Sequence, residues 1–248
     1  MTRSRRAQIL LLRLVSCSAI AAPAPSAKKY KVLCLHGYSQ NPAVFRDRSG
    51  GFRKPLKKST FEMHYAEGPF GCTAKGEDPE VADADMARRA WWRGHSGMDQ
   101  YDGWAQSHEM LTQMWREHQF DGILGFSQGA AAAAMLSAEL KPKFAIFVSG
   151  FVPRDHEAAA SLLVGVSDVP SLHVFGNTDE LVVPERSRAL SELFEGSTTL
   201  EHPGGHHTPS GAAVRESVRE FLRANELVLD DGSAADLKRK RRAAASTT

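Results

Sequence analysis

Three side chains, spread over eighty residues, have the types and the order needed for acyl transfer. Ser127 stands at the centre of Gly125-Phe126-Ser127-Gln128-Gly129, a G-x-S-x-G element. A serine hydroxyl attacks a carbonyl well only when a base takes its proton. The motif has meaning when the serine sits on a sharp turn between a strand and a helix, lifted clear of a sheet. A Cβ two residues before or after would collide across such a turn, which accounts for both glycines. The partners should follow as an acid and then a histidine at later strand ends. Asp179 directly follows the apolar run Ser171–Phe175; Glu180 is its rival, and Asp168 lies on the wrong side of that run. His206, in His202-Pro203-Gly204-Gly205-His206-His207, is the expected base, with His207 as competitor and His202 a weaker one. The carboxylate would fix the imidazole tautomer and stabilise its cation.

A developing oxyanion needs two donors. The backbone N–H of Gln128, at the mouth of the following helix, is one. The N–H of Tyr38, in the loop His36-Gly37-Tyr38 after the first strand, is the other. Losing one such donor typically costs about 10²–10³ in turnover. His36 would brace this loop rather than react. Aromatic residues gather in one region, with Trp91, Trp92 and Tyr101 between Phe70 and Trp104. They are candidates for a substrate-binding wall beside the nucleophile. The alternative is that these rings simply close the core.

Positioning these groups requires a particular scaffold. Strands are expected at Lys31–His36, Phe61–Ala66, Gly122–Phe126, Phe144–Ser149, Ser171–Phe175 and Thr198–Glu201, with helices over Asp102–His118, Ala130–Leu140, Pro184–Phe194 and Gly211–Ala224. Nearly continuous apolar runs imply strands covered on both faces, as in a parallel sheet. Strand and helix alternate, so the fold class is α/β, a mostly parallel doubly wound sheet with helices on both faces. Sites in such sheets form at the carboxyl ends of the strands, and there Ser127, Asp179 and His206 fall.

The length of 248 residues suits one such domain, assigned to 28–229. A formal charge of +2, from 31 basic and 29 acidic residues, argues against a nucleic-acid binder. Cys17, Cys34 and Cys72 form neither a disulfide framework nor a zinc set. Residues 1–27 contain no acid and crowd Arg3, Arg5, Arg6 and Arg13, so they form a basic extension and a candidate targeting segment. Their apolar stretch is interrupted by Arg13 and is too short to span a membrane. Residues 230–248 form a tail with the basic run Lys238–Arg242. A cytoplasmic location is the expectation. Mitochondrial import, from the basic start, and nuclear import, from the basic tail, are the alternatives; a secretory signal is a lesser one.

Four segments together resemble a known family: Leu35-His36-Gly37-Tyr38, Arg89-Ala90-Trp91-Trp92, Phe120-Asp121-Gly122-Ile123-Leu124-Gly125-Phe126-Ser127-Gln128-Gly129-Ala130 and His202-Pro203-Gly204-Gly205-His206. They are similar to the FSH family of serine hydrolases, over about Lys31 to Arg223. The resemblance implies an α/β-hydrolase fold and carboxylesterase activity, with Ser127, Asp179 and His206 as the triad. It also implies thioesterase relatives, whose substrate would be an acyl or polyketide chain on an acyl carrier. The expected substrate is a small-molecule ester or thioester. No metal or cofactor is implied.

Overall fold

The computed structural model describes residues 29–54, 56, 60–72, 88–93 and 100–227. The expected extension 1–27 and tail 230–248 lie outside them. In chain order the elements are β1 (Tyr30–Leu35), α1 (Pro42–Arg48), α2 (Gly50–Arg53), β2 (Phe61–Ala66), β3 (Phe70–Gly71), β4 (Arg89–Ala90), α3 (Trp104–His118), β5 (Gly122–Phe126), α4 (Gln128–Leu140), β6 (Phe144–Val148), α5 (Ala160–Leu163), β7 (Ser171–Gly176), α6 (Pro184–Glu192), β8 (Thr198–His202) and α7 (Ala212–Ala224). Strands β2-β1-β5-β6-β7-β8 form one sheet in that order, every pair parallel. β3 and β4 make a small antiparallel pair beside it.

Burial explains why the inner strands read as apolar runs. Every residue of β5, β6 and β7 is buried. Side chains alternate between faces along a strand. Leu33, Leu35, Ile123 and Phe147 therefore join one core with α3 and α4. Val32, Cys34, Leu124, Ile146 and Val174 join a second core with Phe45 of α1, Phe52 of α2 and Phe221 of α7. The fold is α/β with helices on both faces. Ala130–Ala134 are all fully buried, so α4 lies close against the sheet, and larger side chains there would overpack it by about 1–3 kcal/mol. Among the described residues no helix is long and apolar enough to cross a membrane.

The strand order sets where chemistry can happen. From β1 the chain moves outward to β2, then returns to add β5 on the other side of β1. The loops after β1 and β5 thus leave the sheet in opposite directions and open a crevice between them. Those loops carry Tyr38 and Ser127.

Two buried histidines bear on stability. His173 on β7 is enclosed by the rings of Phe147 and Phe194, at 4.9 and 5.3 Å, and its Nε2 is 3.1 Å from Ser171 Oγ. Burial lowers its pKa from 6.5 to about 3. His36, also buried, is lowered to about 4, chiefly by burial and further by the neighbouring Arg89. Below pH 6.5 the unfolded chain takes up protons at both histidines while the native state refuses them. Stability is therefore full above pH 6.5 and falls as the pH drops towards 4, by up to about 1.4 kcal/mol per pH unit for each histidine. Urea midpoints at pH 7 and pH 5 should show this loss, and His173→Leu should shrink it. Equal midpoints would contradict the neutral, buried state of these rings.

Candidate active site

Ser127 follows β5 with φ +52° and ψ −118°, a backbone region that side-chain-bearing residues rarely occupy. Such strain costs on the order of 1–3 kcal/mol and persists only where surroundings enforce it. Two clamps enforce it here. The Ser127 N–H donates to Val148 O at 2.9 Å, while Ser127 O accepts from Ala130 and Ala131 N–H at 2.9 and 3.0 Å. The two glycines serve different purposes. A Cβ on Gly125 would meet the backbone of Gly129 and Ala130 within 3 Å, across the turn. A Cβ on Gly129 would instead strike the carbonyls of Leu35 and His36, so that glycine lets α4 dock on the end of β1. Helix α4 accordingly begins at Gln128, two residues before the alanine run that marks it in the sequence.

Three side chains far apart in sequence converge on this turn. His206 Nε2 stands 3.0 Å from Ser127 Oγ. Its Nδ1 stands 2.8 Å from Asp179 Oδ2. The other carboxylate oxygen, Asp179 Oδ1, accepts from the N–H groups of Leu181 and Val182 at 3.0 and 2.8 Å, which pins the carboxylate without using the oxygen that faces the ring. A carboxylate only accepts, so the ring donates through Nδ1–H and leaves Nε2 free to accept the serine proton. The ring also packs on Phe126, with centroids 4.9 Å apart. Asp179 is buried, while Glu180 is exposed and His207 turns its ring to His202 at 5.0 Å. Gly176, at the end of β7, permits the close approach: a Cβ there would meet the carbonyls of Gly204 and Gly205 within 3 Å, and a Cβ on Gly204 would meet the His207 ring. The histidine loop can therefore lie directly on the aspartate loop, with Asn177 N–H donating to His202 O at 2.8 Å.

The backbone N–H groups of Tyr38, in the loop after β1, and of Gln128, next to Ser127, have no backbone acceptor among the described residues. Gln128 opens α4, and the first N–H groups of a helix have no intrahelical partner. Tyr38 follows Gly37, which passes over the Phe126 ring so closely that a Cβ would overlap it. Tyr38 is 39% exposed.

The aromatic residues need a correction. Trp91 is fully buried and Trp92 nearly so, and the ring of Tyr101 stacks on Trp92 at 4.4 Å and 7°. Trp104 meets Trp92 edge-on at 5.7 Å. Trp91 and Trp92 offer no open wall for a substrate; their rings close the core, the alternative the sequence left standing. Tyr38 is an exposed aromatic residue in the loop after β1, and Leu181 and Val183 are exposed apolar residues that follow Asp179 in the chain. The Gln128 side chain, at the head of an apolar helix, is a buried amide whose place the sequence did not signal.

The chain is similar to known proteins in sequence and in fold. Residues 25–218 match the family model described as Serine hydrolase (FSH1). The chain belongs to that family. Among the relatives of this FSH1 serine hydrolase, Esterase OVCA2 of Danio rerio is 35% identical over 224 residues, covering 80% of this chain and 98% of the relative. Esterase OVCA2 of Homo sapiens is 35% identical over 217 residues, covering 77% and 95%. Among solved structures, Zea mays acyl-protein thioesterase 2 superposes with a TM-score of 0.58 at 17% identity, covering 81% of this chain and 94% of that one. A carboxylesterase from Mesorhizobium loti gives 0.56 at 15% identity, covering 80% and 90%. Those two likenesses are of fold, and the fold is that of the α/β-hydrolases.

Proposed function

We propose that this FSH1 serine hydrolase is an esterase that cleaves carboxylic esters with an apolar acyl group. Ser127 is the nucleophile, His206 the general base and acid, Asp179 the group that orients and stabilises the imidazole. The single observation that carries the reading is the hydrogen-bonded chain Ser127 Oγ–His206 Nε2 at 3.0 Å and His206 Nδ1–Asp179 Oδ2 at 2.8 Å. The esterase names of relatives that this chain matches at 35% identity support it.

In the first half-reaction Ser127 Oγ adds to the ester carbonyl as its proton passes to His206 Nε2. The N–H groups of Tyr38 and Gln128 donate to the resulting oxyanion, where they would be worth far more than in water. His206 then returns the proton to the leaving alcohol, and the acyl group stays on Ser127. Water attacks that acyl-enzyme by the same proton transfers and frees the acid. The apolar acyl preference rests on Leu181 and Val183, exposed beside the pinned Asp179, and on the Tyr38 ring.

A panel of p-nitrophenyl esters and matched acyl thioesters tests this reading. Turnover of the esters should exceed that of the thioesters, and kcat/KM should climb with acyl length. Each buried methylene contributes up to about 0.8 kcal/mol, or roughly fourfold. Preference for thioesters would favour release of an acyl chain from a carrier instead. A flat or falling chain-length profile would remove the apolar site.

A further inference from the structure

Between the two candidate oxyanion donors runs a strut built from residues 89–92. Its near end is stitched to the loop after β1: Ser39 N–H donates to Arg89 O at 3.0 Å, and Arg89 N–H donates to Gln40 O at 2.8 Å. Its far end is stitched to the first residue of α4: Trp91 N–H donates to Gln128 Oε1, and Gln128 Nε2 donates to Trp92 O, both at 3.0 Å. In the middle the Trp91 indole N–H donates to His36 O at 2.7 Å, and the indole packs on the His36 ring at 4.8 Å. Ser107 of α3 donates its hydroxyl to Trp91 O and anchors the strut from behind. All of these partners except the half-buried Ser39 and Arg89 are buried, so the bonds to Gln128, His36 and Ser107 form away from competing water.

The consequence for the donors follows from peptide geometry. The carbonyl of Gly37 and the N–H of Tyr38 belong to one peptide unit. In a trans peptide they point in opposite directions, and the described residues contain no cis bond. His36 Nε2 accepts from Gly68 N–H at 3.0 Å, so its proton resides on Nδ1, which donates to Gly37 O at 2.8 Å. Gln40 N–H donates to the same oxygen at 3.1 Å. Held by two donors, that carbonyl aims the Tyr38 N–H the other way. The Trp91 indole in turn fixes the carbonyl of His36, the peptide unit immediately before.

We infer that Trp91 is a positioning residue for the oxyanion site, its indole N–H setting the loop that carries the Tyr38 donor and its backbone holding the Gln128 side chain beside the second donor. This rests on the reading of those two N–H groups as oxyanion donors. It assigns the double tryptophan a task in the reaction that needs no contact with substrate. Losing one oxyanion donor outright costs about 10²–10³ in turnover; misaiming one should cost less.

The test is Trp91→Phe in the full chain, which removes the indole N–H and keeps an aromatic ring. Gln128→Met, which cuts the other two bonds and keeps the backbone N–H, is the second variant. Either should lower kcat for p-nitrophenyl butyrate by about 10–100-fold with KM nearly unchanged. The Ki of an alkylboronic acid, whose tetrahedral adduct on Ser127 mimics the oxyanion, should rise by the same factor. An unchanged kcat, or a loss of kcat with boronate affinity intact, overturns the inference. Absence of ester turnover in the wild type would instead defeat the proposed function beneath it, so the two failures are distinguishable.

Discussion

Ser127→Ala is expected to lower kcat for a p-nitrophenyl ester by on the order of 10⁴–10⁶-fold while leaving the protein folded. The substitution removes one oxygen, and alanine can adopt the turn that Ser127 already adopts. Both backbone clamps, from Val148 O and from the Ala130 and Ala131 N–H groups, remain available. Thermal unfolding should therefore be nearly unchanged, which separates loss of chemistry from loss of fold. Residual turnover above that of water would come from binding and from the two backbone donors, because the members of such a set act as a unit. A variant retaining activity within about tenfold of the wild type would show that another group attacks the ester.

His206→Ala should cost a comparable factor, on the order of 10⁴–10⁶, whereas His207→Ala should cost less than about tenfold. The two residues are adjacent and chemically identical, so only geometry distinguishes them. His206 spans Ser127 and Asp179 at 3.0 and 2.8 Å, while the His207 ring packs on His202. The ester assay used for Ser127→Ala measures both. Comparable losses in the two variants would mean that the loop exchanges its histidines and that the base is misassigned.

The sequence carried some of this arrangement and hid the rest, for physical reasons. A fully buried parallel strand must be apolar throughout, so β5, β6 and β7 were legible, and β2 and β5 were read to the residue. The expected chain order of Ser127, Asp179 and His206 corresponds to the ends of β5, β7 and β8, on one edge of a sheet in which β6 separates the first from the other two. Short helices α1, α2 and α5 escaped notice because four to seven residues are too few to show a periodicity. The role of Gly176 was not legible, because its missing side chain makes room for the carbonyls of Gly204 and Gly205, neighbours 28 and 29 residues away. The tryptophans were left between two readings for a related reason. Aromatic type is compatible with a wall or a core, and what decides is a set of partners 36 to 55 residues distant, Gln128 and His36, that no local pattern reveals.

The central claim is that one hydroxyl, at the turn between β5 and α4, does the attacking. Treating the full-length protein with a fluorophosphonate probe and mapping the adduct by peptide mass spectrometry tests this directly. The expected result is a single adduct on the peptide containing Ser127, absent after His206→Ala at equal exposure. An adduct on any other residue, or none on a protein that still turns over esters, would contradict it.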